Sequence, residues 1–589
     1  MNAGEKKTTC PRFQKNKMKQ LIFTLIFLLC SWSISAKRTI VSTAAEINGG
    51  SWTAGDTIVM KNGTWTNQTI SFKAIGTEVQ PIVLMAETPG SVILTGTSKL
   101  GFSGKYIVIS GLYFKDGTLS GSDVISFRTS SSELAENCRL TNTVIESYNP
   151  SLNTVDSKWV SLYGKNNKVD HCSFENKNNS GTLLVVWLQS GVTVNHVISD
   201  NYFGYRNSNL DATGAELNGQ EIIRVGDSST SMTTANVTVS GNYFEKCNGE
   251  IEVISNKSCG NLYTNNLFFE CHGMLTLRHG NDCTVEGNYF FGNGISESGG
   301  VRIIGENHKV YNNYFEKLRG TGYRAAICIV RGKLNSALNE YFQVKNATVE
   351  FNTMVDCSQA FNINYNSSST LTLPPIGTVI AHNHVYNFTT SNTNVNIDQT
   401  NASAMDVTWN NNLMNQGKYT NFSYTSTQVI TAKDAKMTLA GTSTNMYEPG
   451  LGSALVNYTT SENQDVLTDI RGRDRETTKL PGASQLSGST SREMPVKTAV
   501  GAPFFNNPST GILKTPEPID FNTFISNHQL ITNTGLPGEL SIFDCTGKRL
   551  IHKSLTEETY KINLKEKEIY ILIFKSLNGS KYTKKIIMD

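Results

Sequence analysis

The fold class this sequence predicts is all-β: a right-handed parallel β-helix followed by a small C-terminal β-sandwich. Three observations predict it. A phrase of Asn, an aromatic residue and Phe recurs at intervals close to one solenoid coil. Short apolar runs ended by Gly and Asn fill the intervals. Only 17% of the 589 residues are charged, against 48 glycines, a mix that suits an exported β-rich protein better than a helical cytosolic one. The length exceeds one ordinary domain, so one large unit and a smaller one are expected.

The chain opens with an expected export leader over residues 1–36. Lys15, Lys17 and Lys19 precede the apolar run from Leu21 to Leu29, Ser33 to Ala36 offers a small-residue cleavage site, and Met18 is a second candidate start. The apolar run is short for a bilayer, and no later segment reads as a membrane span. A net charge of +3 is too small to point to nucleic acid. It leaves room for a locally basic groove that faces an acidic polymer.

Residues 37–505 read as the β-helix with a trailing wrap. The phrase appears as Asn201-Tyr-Phe203, Asn242-Tyr-Phe244, Asn288-Tyr-Phe290 and Asn313-Tyr-Phe315, with Asn266-Leu-Phe268 as a near copy. From Phe244 through Phe268 and Phe290 to Phe315 the steps are 24, 22 and 25 residues, a solenoid period. Runs such as Ile222–Val225 and Val301–Ile304 supply the strands. Leucine-rich repeats would show a recurring Leu-x-x-Leu-x-Leu, and none recurs. In a β-helix, Asn residues stack into hydrogen-bonded ladders at the turns while Phe and Cys fill the interior, so these phrases build the rod and do no chemistry. Cys247 and Cys271, and likewise Cys259 and Cys283, are 24 apart, which suggests stacked buried thiols.

Residues 506–520 read as a linker, and 521–589 as the sandwich. Its strand-like runs are Glu539–Phe543, Tyr560–Leu564, Ile569–Phe574 and Tyr582–Ile587. Asp544-Cys-Thr-Gly547, Ile569-Tyr-Ile-Leu572 and the basic end Lys584-Lys-Ile-Ile587 resemble the C-terminal sorting domain of the type IX secretion pathway of Bacteroidetes, with Glu568 where that family usually has Gly. The resemblance implies type IX secretion machinery as a partner and a secreted or cell-surface location.

The chemistry concentrates in Asn248–Ser258 and Leu277–Gly280. Glu250 and Glu252 are two apart, so in a strand they share a face, with Ile251 and Val253 turned to the core. Lys257 and Arg278 are 21 apart, and Arg278 and Arg302 are 24 apart, each about one coil. One coil earlier, Asn218-Gly-Gln-Glu221 adds an amide oxygen and a third carboxylate. Asn218, Glu250 and Glu252 are the expected metal ligands, and oxygen donors alone suit Ca²⁺. Lys257 is the expected base and Arg278 its catalytic partner. Arg302, His279 and Glu221 are the expected substrate contacts. In a uronate sugar, neutralising the carboxylate acidifies the C5 proton beside it. A free lysine has a pKa of about 10.4, so the base needs the neighbouring guanidinium and metal to disfavour its charged form. Arginine is a poor proton donor, which leaves water, His279 or a tyrosine for that role. His279 has a second reading as a core or orienting histidine. Asp282 and Glu286 read as turn or surface residues.

These residues resemble polysaccharide lyase family 6, the β-helix family of alginate lyases and chondroitinase B. The likeness runs from about Thr39 to Pro503 and is strongest over Asn218–Gly226, Glu250–Ser258, Leu277–Gly280 and Gly299–Glu306. It implies that Lys257 is the Brønsted base, that Arg278 lies on the acid side, and that Asn218, Glu250 and Glu252 bind calcium. The expected activity is β-elimination on an acidic polysaccharide, with alginate favoured and dermatan sulfate or chondroitin as the alternative. A non-catalytic glycan-binding or adhesive β-helix is the reading from a different class.

Overall fold

The structure, a computed structural model, describes residues 36–589 apart from 120, 212, 215, 432–435, 441–445, 451–465, 476–478, 487–488, 507–520, 527–528, 535–536, 545–548, 557–558, 566–567, 577–580 and 588–589. The expected leader before Ala36, nearly all of the expected linker, and the Cys545-Thr-Gly547 turn lie outside the described residues. Among the described residues no helix is long and apolar enough to cross a membrane.

The chain divides into two compact units, Met1–Asn506 and Asn507–Asp589. The first is a parallel β-helix of three 14-stranded sheets. The first sheet runs from Arg38–Val41 to Val407–Asn410, and the third from Gly63–Thr66 to Val429–Ile430. The second carries Lys99–Lys105 near one end and Lys418–Thr420 at the other, and it is the sheet that bears the site. Every coil visits the sheets in turn, so strands adjacent in space are one coil apart in sequence.

The recurring Asn explains how the coils keep register. Each stands at the short turn between the first and third sheets. The residue before it is left-handed, as at Gly241 (φ 67°), Gly287 (φ 65°) and Asn312 (φ 56°). The side-chain oxygen of each Asn accepts from both the backbone N–H and the side-chain amide of the Asn one coil earlier. The series runs from Asn201 to Asn242 (3.0 and 3.0 Å) and on through Asn266, Asn288, Asn313, Asn352 and Asn383 to Asn412. Every amide in this ladder is buried, so each bond also removes the cost of an unsatisfied polar group, about 1–3 kcal/mol. Bulky residues take the left-handed position at Phe351 (φ 53°) and His382 (φ 54°), where they stack on each other at 5.1 Å with the Arg475 guanidinium 4.4 Å from the Phe351 ring.

Inside the rod, Phe203, Phe244, Phe268, Phe290 and Phe315 form one stack with centroids 4.5–4.8 Å apart. Each such pair adds about 1 kcal/mol beyond its burial. Cys247, Cys259, Cys271 and Cys283 are buried free thiols. Asp282 is in a left-handed turn (φ 61°), and Glu286 binds Arg492 of the trailing wrap at 3.1 Å.

Among its described residues the second unit is mostly antiparallel sheet. One sheet holds Phe521–Ser526, Gln529–Thr534 and Thr559–Asn563. The other holds Arg549–Leu555, Gly538–Asp544, Ile569–Ser576 and Lys581–Ile587. Leu530, Leu540, Ile542, Tyr570, Leu572 and Phe574 form its core.

Candidate active site

Successive strands of the second sheet build the site: Ile223–Gly226, Glu252–Lys257, Met274–His279 and Val301–Ile303. Arg224, Ser255, Thr276 and Arg302 form one column across them. Side chains alternate, so Ile254, Leu275 and Val301 beside that column enter the core. Asn256 also points inward. Its amide donates to the carbonyls of Ser258 (2.9 Å) and His279 (2.8 Å), and its oxygen accepts from Asn261 Nδ2 (2.7 Å) and the Tyr263 hydroxyl (2.7 Å). This buried network locks the coil immediately before Lys257.

Two bulges then re-aim the functional side chains. Glu252 pairs with Met274 but Ile254 with Leu275, which leaves Val253 as an extra residue; Asn256 pairs with Leu277 but Lys257 with His279, which leaves Arg278 as another. Such extra residues bend a strand and turn a side chain out of the regular alternation. Glu250 lies before the strand, not in it, and Ile251 is half-buried at the cavity wall instead of in the core.

The result is a cavity of about 350 Å³ lined by Asn218, Glu250, Glu252, Lys257, Arg278, His279 and Arg302, together with Ser228, Asn339 and Tyr341. Lys257 and Arg278 therefore face one space. Lys257 Nζ lies 3.6 Å from Glu221 Oε1. The Arg278 guanidinium donates to the Glu340 carbonyl at 2.8 Å and sits 4.3 Å from the centre of the Tyr341 ring, two contacts that hold it in place.

Of the three expected substrate contacts, Arg302 and His279 line the cavity, Glu221 joins the other carboxylates as the third acid, and His279 takes its second reading as an orienting ring. Glu221 is buried, accepts from Thr182 Oγ1 at 2.7 Å, and brings a carboxylate oxygen within 4.8 Å of those of Glu250 and Glu252. It belongs to the acid cluster, because burial beside two other carboxylates leaves it no face toward a sugar. Arg302 lines the cavity but is paired with Glu252, which also accepts from Ser255. His279 is buried, with Nε2 3.2 Å from Ser228 Oγ and Nδ1 3.4 Å from Arg278 Nη1. Burial, then the charges of Arg278, Lys257 and Arg302, push its pKa down to about 3. It is a neutral ring that orients its neighbours, and it has no proton to give as an imidazolium at neutral pH.

The acid cluster fits a hard divalent cation. Its donors are all oxygens. Glu250 makes no ion pair among the described residues and accepts the Gly219 N–H at 2.9 Å. Burial, then the charges of Glu221 and Glu252, push its pKa up to about 8. Lys257 and Arg302 balance Glu221 and Glu252, so the excess negative charge of the cluster falls on Glu250, and Ca²⁺ takes six to eight oxygen ligands. Asn218 adds its amide at the exposed wall.

Sequence reasoning missed Tyr341, Ser228 and Thr182. Tyr341 lies in the turns after Gly332–Lys333, outside the coil repeat, so no spacing points to it.

Comparison with known proteins gives a consistent result. The family model described as Chondroitinase B matches residues 44–459. A PL6 family alginate lyase, AlyGC, is similar over 79% of this chain at 32% identity and a TM-score of 0.66; the chain spans 58% of its length. A mannuronic acid specific polysaccharide family 6 lyase from human gut microbiota is similar over 66% of this chain and 89% of its own, at 30% identity and a TM-score of 0.59. A PL6 family polysaccharide lyase from Pseudopedobacter saltans is similar over 67% and 96%, at 28% identity and a TM-score of 0.56. No curated protein matches the sequence.

Proposed function

The chain belongs to the chondroitinase B family of PL6 polysaccharide lyases, and from that premise we propose that it is an exported lyase that cleaves alginate by β-elimination. The observation that carries the proposal is that Lys257 and Arg278, from neighbouring coils, line one cavity with Glu250 and Glu252.

The uronate carboxylate enters at the acid cluster. Ca²⁺ held by Glu221, Glu250 and Glu252, with Asn218 beside them, would neutralise that carboxylate and acidify the C5 proton. The Lys257 nitrogen takes this proton. The C5–H electrons become the C4–C5 double bond, the C4–O4 bond breaks, and its electrons go to O4. Arg278, placed over the Tyr341 ring, faces the developing negative charge on O4. Water or Tyr341, the phenol among the lining residues, then supplies the proton to O4. Glu221 holds the Lys257 amine toward the cavity.

Alginate is favoured because the relatives at 30% identity or above are an alginate lyase and a mannuronic acid specific lyase. The family model's own name, Chondroitinase B, keeps a chondroitin-type chain as the second substrate to test, with dermatan sulfate as the probe. The C-terminal unit serves in this reading as a type IX sorting signal. A compact, mostly β-sheet unit and the basic run Lys584–Ile587 support it. The test is ultraviolet absorbance of the new double bond with alginate and with dermatan sulfate, each with and without a chelator. Absorbance with alginate alone is expected. Absorbance with dermatan sulfate alone would replace the substrate, and none with either would leave a glycan-binding protein.

A further inference from the structure

A second cavity, of about 380 Å³, opens on the same sheet several coils before the acid cluster, with Arg128, Tyr163, Lys165 and Trp187 in its wall. Tyr163 follows the strand Val160–Leu162 and Trp187 follows Leu184–Val186; Leu162 pairs with Val186, so the two rings stand one above the other. Their centroids are 6.1 Å apart and their planes 10° from parallel. The Arg128 guanidinium caps the Tyr163 ring at 3.8 Å, and Arg224 approaches the Trp187 ring to 5.3 Å. The Trp187 indole N–H donates to Ser161 Oγ at 3.2 Å, which fixes the ring.

The column continues into the candidate active site. Val186 pairs with Val225, the next position is Gly226, Gly226 pairs with Lys257, and Lys257 pairs with His279. Gly226 has a φ of +81°, and a Cβ there would come within 2.5 Å of the Lys257 carbonyl oxygen. Between the last aromatic ring and Lys257 the sheet therefore presents one step with no side chain.

Asp123 interacts electrostatically with Arg128 and Tyr163 at one end of this track, and Lys165 and Arg224 add two further positive charges along it. Among the described residues, Arg128, Lys165 and Arg224 form no ion pair, and Arg224 Nε is buried without a hydrogen-bond partner. Stacking on a ring uses the face of a guanidinium and leaves its N–H edge free, and that edge is what grips a carboxylate. From the coil of Arg128 to that of Lys257 there are four steps, about 19 Å at the spacing of adjacent strands.

We infer that the Arg128–Tyr163–Trp187–Arg224 ladder is a distal binding track for a polyanionic uronate chain, which holds several sugar units beyond those at the bond to be broken. The inference rests on the reading of the site as a polyuronate lyase. The track makes the enzyme prefer long chains, because a short oligomer seated at Lys257 does not reach Arg128.

The test compares a uronate trimer with a decamer. In the wild type, kcat/KM is higher for the decamer. In Arg128→Gln the ratio of decamer to trimer falls about tenfold, chiefly through KM for the decamer; Trp187→Ala, only two strands from Lys257, weakens both oligomers and the decamer more, and Trp187→Phe retains part of the binding. An unchanged ratio, or an equal loss on both oligomers, overturns the track. Binding of the decamer to the Lys257→Ala chain, followed by tryptophan fluorescence, separates the two readings. If the wild type cleaves nothing, the lyase reading fails, and the track stands or falls on whether Arg128→Gln in that chain weakens decamer binding. Melting temperatures near the wild type in each variant show that the rod is intact.

Discussion

Lys257 stands in register with His279, and Arg278 is the extra residue of the bulge between them. A regular ladder would set one residue of each strand directly opposite one on the next. The bulge instead gives the second coil two residues where the first has one. The buried imidazole takes the paired position, and the guanidinium is turned into the cavity that the amine also lines. The expected catalytic pair thus depends on a local irregularity of the sheet as much as on the coil period.

Replacing either member of this pair should stop turnover without unfolding the rod. Lys257→Ala removes the base and is expected to cost about a hundredfold to ten-thousandfold in kcat. Arg278→Ala is expected to cost about a hundredfold to a thousandfold. Arg278→Lys should not restore the rate, because a lysine cannot sit over the Tyr341 ring while donating to the Glu340 carbonyl. Initial rates of double-bond formation check this, with circular dichroism melts as the control. Folded variants at full activity would remove both residues from the mechanism.

His279 should leave no mark on the pH profile. With its pKa near 3 it is already neutral across the working range, so its titration contributes no inflection between pH 5 and 8. His279→Gln keeps a hydrogen bond to Ser228 but loses the ring that positions Arg278. The expected outcome is a kcat about tenfold to a hundredfold lower with a profile of the same shape. A limb near pH 6.5 that vanishes in His279→Gln would show that the ring exchanges protons after all.

The rod was legible in the sequence, because the Asn ladder repeats one residue type at one place in every coil. The pair of Lys257 and Arg278 was legible for the same reason, since 21 residues is close to a coil. The bulge was not, because it is set by pairing between two coils and neither segment shows it alone. The place of Glu221 was hidden because its hydrogen-bond partner Thr182 is 39 residues away on another coil. That Arg302 also pairs with Glu252 was hidden, because the two residues are 50 apart and meet only across coils. Tyr341 comes from turns between strands, where no period operates.

The ladder itself carries a stability prediction. Asn288 accepts from the backbone and side chain of Asn266 and donates to the Tyr263 carbonyl (2.9 Å) and to Asn313 (3.0 Å). Asn288→Ala leaves several of these buried groups unpaired, at about 1–3 kcal/mol each. Denaturant unfolding should show a loss of a few kcal/mol, with kcat per folded molecule unchanged. A loss below about 0.5 kcal/mol would mean that water or a neighbour replaces the bonds.

Stability should fall with rising pH when no divalent cation is present, and calcium should cancel the effect. The Glu250 pKa is raised from the ordinary carboxylate value to about 8 in the fold, so between roughly pH 4.5 and 8 the folded chain binds a proton that the unfolded chain has lost. Protons bound to the folded state stabilise it, so that contribution is complete below the unfolded pKa and is lost as pH rises through about 8. In a chelator, the melting temperature should therefore decline from pH 5 to pH 8.5. Glu250→Gln cannot ionise and should flatten that decline. Calcium binding to the ionised cluster should raise the wild-type melting temperature most at the alkaline end, and do little for the variant. A wild-type melting curve that is indifferent to calcium at pH 8.5 would show that the three carboxylates serve the fold or the substrate without a metal.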